Sequence, residues 1–451
     1  MTLVDIKAFE QARKYVEAAA DLGSRPGLDR IRRLCELLGN PQDDLEFIHV
    51  AGTNGKGSTA AMIESILCCA GMRVGMYYSP AITGICDHFR VNGETIDMTD
   101  YTETVAEVAE ANSKLKRESP DGATQFEIET AVAFLYFRKK SCDVVILECG
   151  MGGKEDATNV VKNKLCCVIT SVGFDHMYHL GHTLKQIAAH KAGIITTDCP
   201  VIALDSKEEV LNVIRKRCET TGSTLYPVSA AVREDYELFP LGQAMSFDGM
   251  GNVIVSLAGA YQTENAPLAV KAVRVLAANN ALDGCVIDED VIREGLKKTK
   301  WPYRFECICP DPPVIVDGAH NIDAAIALSK TIRECLGNRS VILIIGIFAD
   351  KEYEKIVATL SDVVCEMITV STKVKGRSLS AARLAVCAEK YCSEVTTCKN
   401  LKEAYKTAIC HANNISENGG SPVVVACGSL SYLAEFTNIV LDNMQQSAAC
   451  H

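Results

Sequence analysis

The segment of residues 47–59, FIHVAGTNGKGST, constrains the fold of this chain most strongly. It begins with a short apolar run that contains one His, which predicts a buried β-strand. A Gly-rich turn with one Lys and two hydroxyl groups follows, and apolar periodicity over residues 60–71 predicts a helix. This layout is typical of a phosphate cradle, because backbone N–H groups, the helix N-terminus and the Lys can all face an anion. The residues that fit the cradle are Gly52, Gly55, Lys56, Gly57, Ser58 and Thr59.

The spacing of this turn differs from the commonest P-loop, because Gly57 separates Lys56 from Ser58. The alternative interpretation is a Gly-rich turn between strand and helix that carries a surface Lys. The number of cradle-compatible residues favours phosphate binding.

Composition and charge exclude several classes of protein. A chain of 451 residues predicts two or three domains, and 48% hydrophobic with 23% charged residues is typical of a globular protein. A net charge of -11 argues against a nucleic-acid-binding surface. The amphipathic start has no signal-peptide pattern, and no apolar run reaches the ~18 residues of a membrane span. We therefore expect a cytoplasmic protein that binds neither nucleic acid nor membrane.

The 21 cysteines lie mostly within apolar runs, and no C-x-x-C motif occurs. This pattern favours buried, reduced thiols in a reducing compartment over a disulfide scaffold. A zinc site is the alternative, but no ligand spacing supports it.

Buried strands that alternate with helices predict an α/β fold with a mostly parallel sheet covered on both faces. We expect strands at residues 47–51, 73–78, 143–147, 165–170 and 200–204. Short alternating segments in residues 221–260 predict a small antiparallel patch attached to this domain. A second βα series begins at Pro313 and predicts a smaller α/β domain. The expected organisation is a first domain over residues 1–298, a hinge over 299–303 that contains Trp301-Pro302, and a second domain over 304–451.

Polar residues follow several of the predicted strands. Ser79, Glu148 and His176 come just past strand ends, where open α/β sheets bind ligands. A carboxylate beside a phosphate cradle suits Mg²⁺, which takes oxygen ligands and nucleotide phosphates. The alternatives are a Glu that caps the next loop and a His with a capping or core role.

Three further positions carry candidate site residues. Lys191 lies on a helix expected to return to the same edge of the sheet, although a solvated Lys is the alternative. The cluster that begins at Asp317 and includes His320 opens the first turn of the second domain, and suggests a second half-site. Arg304, just past the hinge, could reach a phosphate or form a surface ion pair.

With these residues in place, the chain resembles the folylpolyglutamate synthase/dihydrofolate synthase family, within the Mur ligase group. The resemblance covers nearly the whole chain. Its matching segments include, in order, HVAGTNGKGST (49–59), LECGMGGKEDATN (147–159), ITSVGFDHMYHLGHTLKQIAAHKAGI (169–194), WPYRFE (301–306) and VDGAHN (316–321). Within them, GTNGKGS, GGxxDATN and DGAHN are highly specific as an ordered set.

The resemblance implies a Mur-ligase-like P-loop domain followed by a Rossmann-like C-terminal domain that contributes to glutamate and ATP binding. The implied ATP contacts are Gly55, Lys56, Gly57, Ser58, Asn265, Arg304 and Asp317. The implied ligands of two Mg²⁺ ions are Ser79, Glu148, His176 and Lys191, the last as a carbamate; a monovalent cation is a further expectation. The implied catalytic residues are Lys56, Lys191 and His320, and of these His320 would lie near the acyl-phosphate or glutamate. The implied pterin site contains Phe126 and Asp156, with part of the loop 22–28.

The implied reaction is ATP-dependent amide formation between L-glutamate and a folate or dihydropteroate, by a monomeric enzyme. Several positions depart from the family pattern: Ala81-Ile82 replace His-Leu, Asp87-His88 replace Glu-Arg, and Lys154-Glu155 replace Arg-Leu. His190 replaces the usual Glu, and Tyr303 the usual Gly. A ligase that acts on another small carboxylic acid therefore stays open, as does a nucleotide-binding protein without ligase activity.

Overall fold

The computed structural model describes residues 3–235, 242–282, 284–374 and 376–448. Contacts divide these residues into two compact units. The first contains the chain up to Ala231 together with Glu264–Thr299, and the second contains Val232–Thr263 together with the chain from Lys300 onward. None of the helices in the described segments is long and apolar enough to span a bilayer.

The first unit is built on an eight-stranded sheet. Its strands are β1 (Phe47–Ala51), β2 (Val74–Tyr77), β3 (Phe89–Val91), β4 (Glu94–Thr95), β5 (Val144–Glu148), β6 (Lys164–Ile169), β7 (Val201–Leu204) and β8 (Leu225–Val228). The spatial order is β4-β3-β2-β5-β1-β6-β7-β8. The last six strands in this spatial order are parallel to one another. The first two, β4 and β3, add an antiparallel edge. This arrangement confirms the α/β class and the mostly parallel sheet.

Helices cover this sheet because their apolar faces close hydrophobic cores against its strands. The helices are α1 (Leu3–Ala18), α2 (Asp29–Leu37), α3 (Lys56–Cys69), α4 (Met98–Glu118), α5 (Gln125–Lys139), α6 (Met177–Leu180), α7 (Leu184–Ala192), α8 (Glu208–Thr221), α9 (Gln262–Ala278) and α10 (Glu289–Lys298). Short 3-10 turns occur at Ala19–Leu22, Pro41–Asp44, Ile85–His88 and Ala157–Val160. Capping boxes at Thr124 and Thr183 fix the starts of α5 and α7.

The second unit contains a six-stranded and a three-stranded sheet. Its strands are β9 (Val232–Asp235), β10 (Gln243–Phe247), β11 (Met250–Val255), β12 (Glu306–Pro310), β13 (Pro313–Val316), β14 (Ser340–Ile345), β15 (Glu366–Thr369), β16 (Val395–Thr397) and β17 (Pro422–Cys427). Its helices are α11 (Ile322–Leu336), α12 (Tyr353–Ser361), α13 (Ala381–Ala388), α14 (Leu401–Glu417) and α15 (Leu430–Ala448). The six-stranded order is β12-β13-β17-β14-β15-β16, parallel except for β12, as expected for a second α/β domain.

The antiparallel patch differs from its prediction in extent and in location. β8 belongs to the large parallel sheet, so only β9–β11 form the patch. These strands group with the second unit, whereas the sequence predicts them as part of the domain 1–298. The physical reason is tertiary: Arg233 pairs with Glu334 at 2.6 Å, and the Ala260 N–H donates to Thr331 Oγ1 at 2.9 Å.

The packing of α10 on α3 allows a stability prediction. A Cβ placed at Gly295 would lie 2.5 Å from Ile66 Cα, and Ser65 Oγ donates to the Gly295 carbonyl at 2.7 Å. We expect Gly295→Ala to lower the free energy of unfolding by about 1–3 kcal/mol, because the backbone of α3 must shift. Urea unfolding monitored by circular dichroism measures the change.

Gly251→Ala is the matched control for this substitution. The nearest atom to its added Cβ would be Ser246 Oγ at 3.8 Å, so the methyl group meets ordinary van der Waals contact. A Gly295→Ala protein as stable as the Gly251→Ala protein would show that the two helices tolerate the extra atom.

Candidate active site

The phosphate cradle lies at the carboxyl end of β1 and in the first turn of α3. The helix begins at Lys56 rather than at the predicted residue 60, so Lys56, Gly57, Ser58 and Thr59 belong to its first turn. Gly55 precedes it with φ 86°, a left-handed conformation that favours glycine. The helix N-terminus is thus aimed by a glycine turn, which is the geometry of an anion site.

Two side chains pack directly onto the cradle glycines. A Cβ at Gly55 would lie 2.2 Å from Asn265 Oδ1, and one at Gly52 would overlap Thr170 Oγ1. Thr53 is held by Gly173, whose N–H donates to Thr53 Oγ1 at 3.0 Å. These contacts fix the loop, and they bring Asn265 to the cradle as the resemblance implies.

The hydroxyl groups of Ser58 and Thr59 are buried, and neither forms a hydrogen bond within the described chain. Leaving a buried hydroxyl unsatisfied is costly. This observation fits a cradle that completes its hydrogen bonds with a ligand such as a phosphate and its metal ion.

Lys56 and Glu148 face each other across the cradle. Glu148 is the last residue of β5, which pairs with β1, and its side chain is buried. Lys56 Nζ lies 3.5 Å from Glu148 Oε1 and donates to the Thr53 carbonyl at 3.3 Å. The structure therefore brings a cation and a carboxylate together at the carboxyl ends of adjacent strands.

Lys191 reaches the same edge of the sheet from α7. Its side chain is 3% exposed, and its Nζ donates to the Gly52 carbonyl at 2.6 Å. Burial, together with the neighbouring charge of Lys56, lowers the pKa of Lys191 to about 7. The solvated alternative for this Lys is therefore wrong.

The other two predicted metal ligands also follow strands of this sheet. Ser79 lies two residues beyond Tyr77 of β2, which pairs with Leu147 of β5. His176 follows β6 in a left-handed conformation, φ 50°, with 45% of its side chain exposed. The spatial order β2-β5-β1-β6 thus places Ser79, Glu148, the cradle and His176 after four consecutive parallel strands.

The donor set suits Mg²⁺ better than a soft metal. Within the described residues, no group of three or more His, Cys, Asp or Glu side chains could hold a metal ion. A hydroxyl and a carboxylate beside a phosphate cradle fit a hard cation that takes further ligands from phosphate and water. The residues present therefore fit Mg²⁺ bound together with a nucleotide.

The two residues predicted for the pterin site lie in a packed region. A Cβ at Gly150 would lie 2.7 Å from the ring of Phe126, whose centroid is 6.1 Å from that of Tyr77. Asp156 is buried, and its carboxylate accepts hydrogen bonds from Met151 N–H and from Thr158 N–H and Oγ1–H. Asp156 thus fixes the conformation of the loop after β5 through these hydrogen bonds.

A buried polar network behind Glu148 was missed by the sequence analysis. His49 Nε2 lies 2.9 Å from Thr158 Oγ1 and 3.1 Å from Cys149 Sγ. Burial holds the pKa of His49 well below its usual value, so the ring is neutral. The one His in the apolar run of β1 was the available signal, and its partners could only be found from the fold.

Three predicted residues of the second unit lie together at the carboxyl end of β13. Asp317 is 3% exposed and accepts hydrogen bonds from Tyr261 Oη at 2.6 Å and from the Phe305 N–H. Arg304 Nη1 donates to the Tyr303 carbonyl and lies against Gly318, and His320 Nδ1 donates to the Gly318 carbonyl. Tyr261 is a member of this cluster that sequence reasoning missed.

Comparisons with known proteins agree with this geometry. Residues 50–273 match the Mur ligase middle domain, and residues 303–430 match the Mur ligase glutamate ligase domain. A dihydrofolate synthase/folylpolyglutamate synthase of Bacillus subtilis is 33% identical over 434 residues, which cover 95% of this chain and 98% of the relative.

Two solved structures extend the match to the fold. The Mycobacterium tuberculosis folylpolyglutamate synthase complexed with ADP and AMPPCP has a TM-score of 0.86 and 28% identity, covering 96% of this chain and 99% of the other. E. coli FolC in complex with DHPP and ADP has a TM-score of 0.82 and 28% identity, covering 96% and 98%. The chain therefore belongs to the folylpolyglutamate synthase/dihydrofolate synthase family of Mur ligases.

Proposed function

We propose that this protein is an ATP-dependent ligase that joins L-glutamate to a folate-type acid, either dihydropteroate or a folate. The observation that carries the proposal is the cluster at the carboxyl ends of β1 and β5. There Lys56 lies 3.5 Å from Glu148, and the buried Lys191 contacts the carbonyl of Gly52. Membership of the Mur ligases supports the reaction class.

We assign the phosphates of ATP to the cradle. Backbone N–H groups of Gly55, Gly57 and Ser58 would bind the phosphate oxygens, and Lys56 would neutralise their charge. Asn265 contacts Gly55 and is assigned to the same nucleotide. In the second unit, Arg304 and Asp317 are assigned to ATP on the family resemblance.

We assign one Mg²⁺ to Ser79, Glu148 and His176, and a second ion to Lys191 as its carbamate. When bound, Mg²⁺ supplies positive charge that orients the γ-phosphate and stabilises charge as it is transferred. The lowered pKa of Lys191 supports the carbamate, because only a neutral amine reacts with CO₂. A monovalent cation is a further proposal that rests on the family alone.

The proposed chemistry proceeds in two steps. A carboxylate oxygen of the acid attacks the γ-phosphorus, the bond to the bridging oxygen of ADP breaks, and an acyl-phosphate forms. The amine of glutamate then attacks the acyl carbon, phosphate leaves, and the nitrogen loses a proton to give the amide. Lys56 would orient the phosphate in the first step, and His320 is assigned to the acyl-phosphate or glutamate in the second.

We assign the pterin part of the acid to the region of Phe126, Asp156 and the loop 22–28. The start of α5 supports this assignment, because its first two residues, Gln125 and Phe126, are only partly buried. A monomer as the active form is a further proposal, and it rests on the family resemblance alone. The cysteines of the described residues form no disulfide, which supports a reducing compartment such as the cytoplasm.

ADP release by the purified protein, with ATP, Mg²⁺ and L-glutamate, tests this proposal. Dihydropteroate and tetrahydrofolate are supplied separately as the acid. We expect ADP release that requires both the acid and glutamate, with the glutamyl product detected by mass spectrometry. ATP binding without turnover of either acid would contradict the proposed function.

A further inference from the structure

The first unit contains a cavity of about 580 Å³ beside Ser79. Residues 79–85 form one wall, and His88, Gln125 and Glu129 line it from other elements. Glu17, whose side chain is 48% exposed, also lines the cavity. The cavity includes the positions at which this chain departs from the family pattern between residues 81 and 88.

The wall of this cavity is held by the protein itself. Asp87 Oδ2 accepts hydrogen bonds from the N–H groups of Ile82 and Thr83 at 3.1 and 3.3 Å. Asp87 Oδ1 accepts a hydrogen bond from Arg90 Nη2 at 2.7 Å. The charge of Arg90 is therefore matched by Asp87, and the loop has a fixed shape.

Two buried polar side chains line the cavity. His88 is 7% exposed, and its Nδ1 donates to the Tyr78 carbonyl at 2.7 Å, because a carbonyl only accepts. Its Nε2 lies 3.8 Å from Glu129 Oε1. Glu129 is 4% exposed, and within the described chain its Oε2 accepts no hydrogen bond, although Gln125 donates to its Oε1 at 2.7 Å.

The cavity lining carries more negative than positive side chains. Its described lining contains the carboxylates of Glu17 and Glu129 and neither Lys nor Arg. A second carboxylate placed here meets repulsion from the buried Glu129, and no Lys or Arg of the lining balances it. An N–H donor or a neutral ring meets the Glu129 carboxylate and the apolar side chains of the wall, such as Ile82.

Resting on the proposed function, we propose that this cavity selects an acid substrate with a single carboxylate, of the pteroate class, and that Glu129 disfavours acids with a second carboxylate beside the reacting one. Ser79 links the two sites, because it lines the cavity and is assigned to the metal that faces the reacting carboxylate. The part of the acid next to that carboxylate would therefore enter the cavity. In dihydropteroate this part is a neutral benzoyl ring, whereas in a glutamylated folate it carries an α-carboxylate.

The test compares dihydropteroate with tetrahydrofolate, a monoglutamate, in the full-length protein and its Glu129→Gln variant. We expect the unaltered protein to use dihydropteroate with a kcat/KM at least about tenfold higher. Glu129→Gln should raise kcat/KM for tetrahydrofolate about tenfold relative to that for dihydropteroate, chiefly by lowering the KM for tetrahydrofolate. Glutamine keeps the size of the side chain and an acceptor for Gln125.

Glu107→Gln is the matched control, because it removes an exposed carboxylate on α4 that pairs with Lys139 outside the cavity. It should leave the ratio of the two kcat/KM values unchanged. Equal or better use of tetrahydrofolate by the unaltered protein, or an equal change for both acids in Glu129→Gln, would overturn the proposed selectivity. Absence of turnover with either acid in the unaltered protein would instead overturn the proposed function, and the selectivity with it.

Discussion

Lys191→Ala is expected to lower kcat by about 100-fold or more, and short carboxylates such as acetate are expected to restore part of the activity. The buried Nζ donates to the Gly52 carbonyl beside the cradle, so an amine at this position adds a positive charge next to Lys56. A carbamate would convert that charge to a negative one that binds a cation. Steady-state ADP release with and without acetate measures both effects.

The pH dependence of carbamate formation follows from the lowered pKa of Lys191. The pKa of Lys191 is lowered to about 7, so the neutral amine that reacts with CO₂ is populated above that pH. Protein depleted of CO₂ should therefore regain activity on addition of bicarbonate, and more rapidly at pH 8 than at pH 6.

Lys185→Ala is the control on the same helix, since Lys185 is exposed. Full activity of Lys191→Ala would refute a catalytic role for this side chain. A folded but inactive Lys191→Ala protein that no carboxylate restores would refute the carbamate and leave a role for the amine.

Lys56→Met is expected to lower kcat by about 10²–10³-fold, because it removes the cation that would face the γ-phosphate. Lys56 is the first residue of α3, and its side chain is 16% exposed. The substitution also removes the cation 3.5 Å from Glu148, so Mg²⁺ binding at this carboxylate should be kept or strengthened while kcat falls. Single-turnover ADP release and titration with Mg²⁺ measure the two effects separately.

Lys162→Met removes a Lys whose side chain is 77% exposed, and serves as the control for the lost charge. Thermal unfolding of both variants shows whether the fold is kept. If Lys56→Met retained kcat within about threefold, Lys56 would be a loop residue without a role in phosphoryl transfer.

The amino-acid sequence by itself determined the local features of the site. The Gly-rich turn, its Lys and the apolar strands before it are contiguous in the chain, so their pattern predicts their conformation. Ser79, Glu148 and His176 were predicted to share one edge because parallel strands end at the same edge of a sheet, a rule that needs only strand boundaries. The start of α3 was predicted four residues late, because glycine and hydroxyl residues in its first turn mask the helical pattern.

The tertiary structure decided what depends on long-range contacts. Lys191 and the carbonyl of Gly52 are 139 residues apart in the chain, and only the packing of α7 removes this Lys from solvent. Polar and apolar residues alternate along the antiparallel patch, as they do in any half-exposed sheet, so the sequence does not show which domain it joins. The contacts of Arg233 and Ala260 place it in the second unit. The contact of His88 with Glu129 likewise joins separate elements. Periodicity records which face of an element is buried, but not which side chain it meets there, because that partner is set by the fold as a whole.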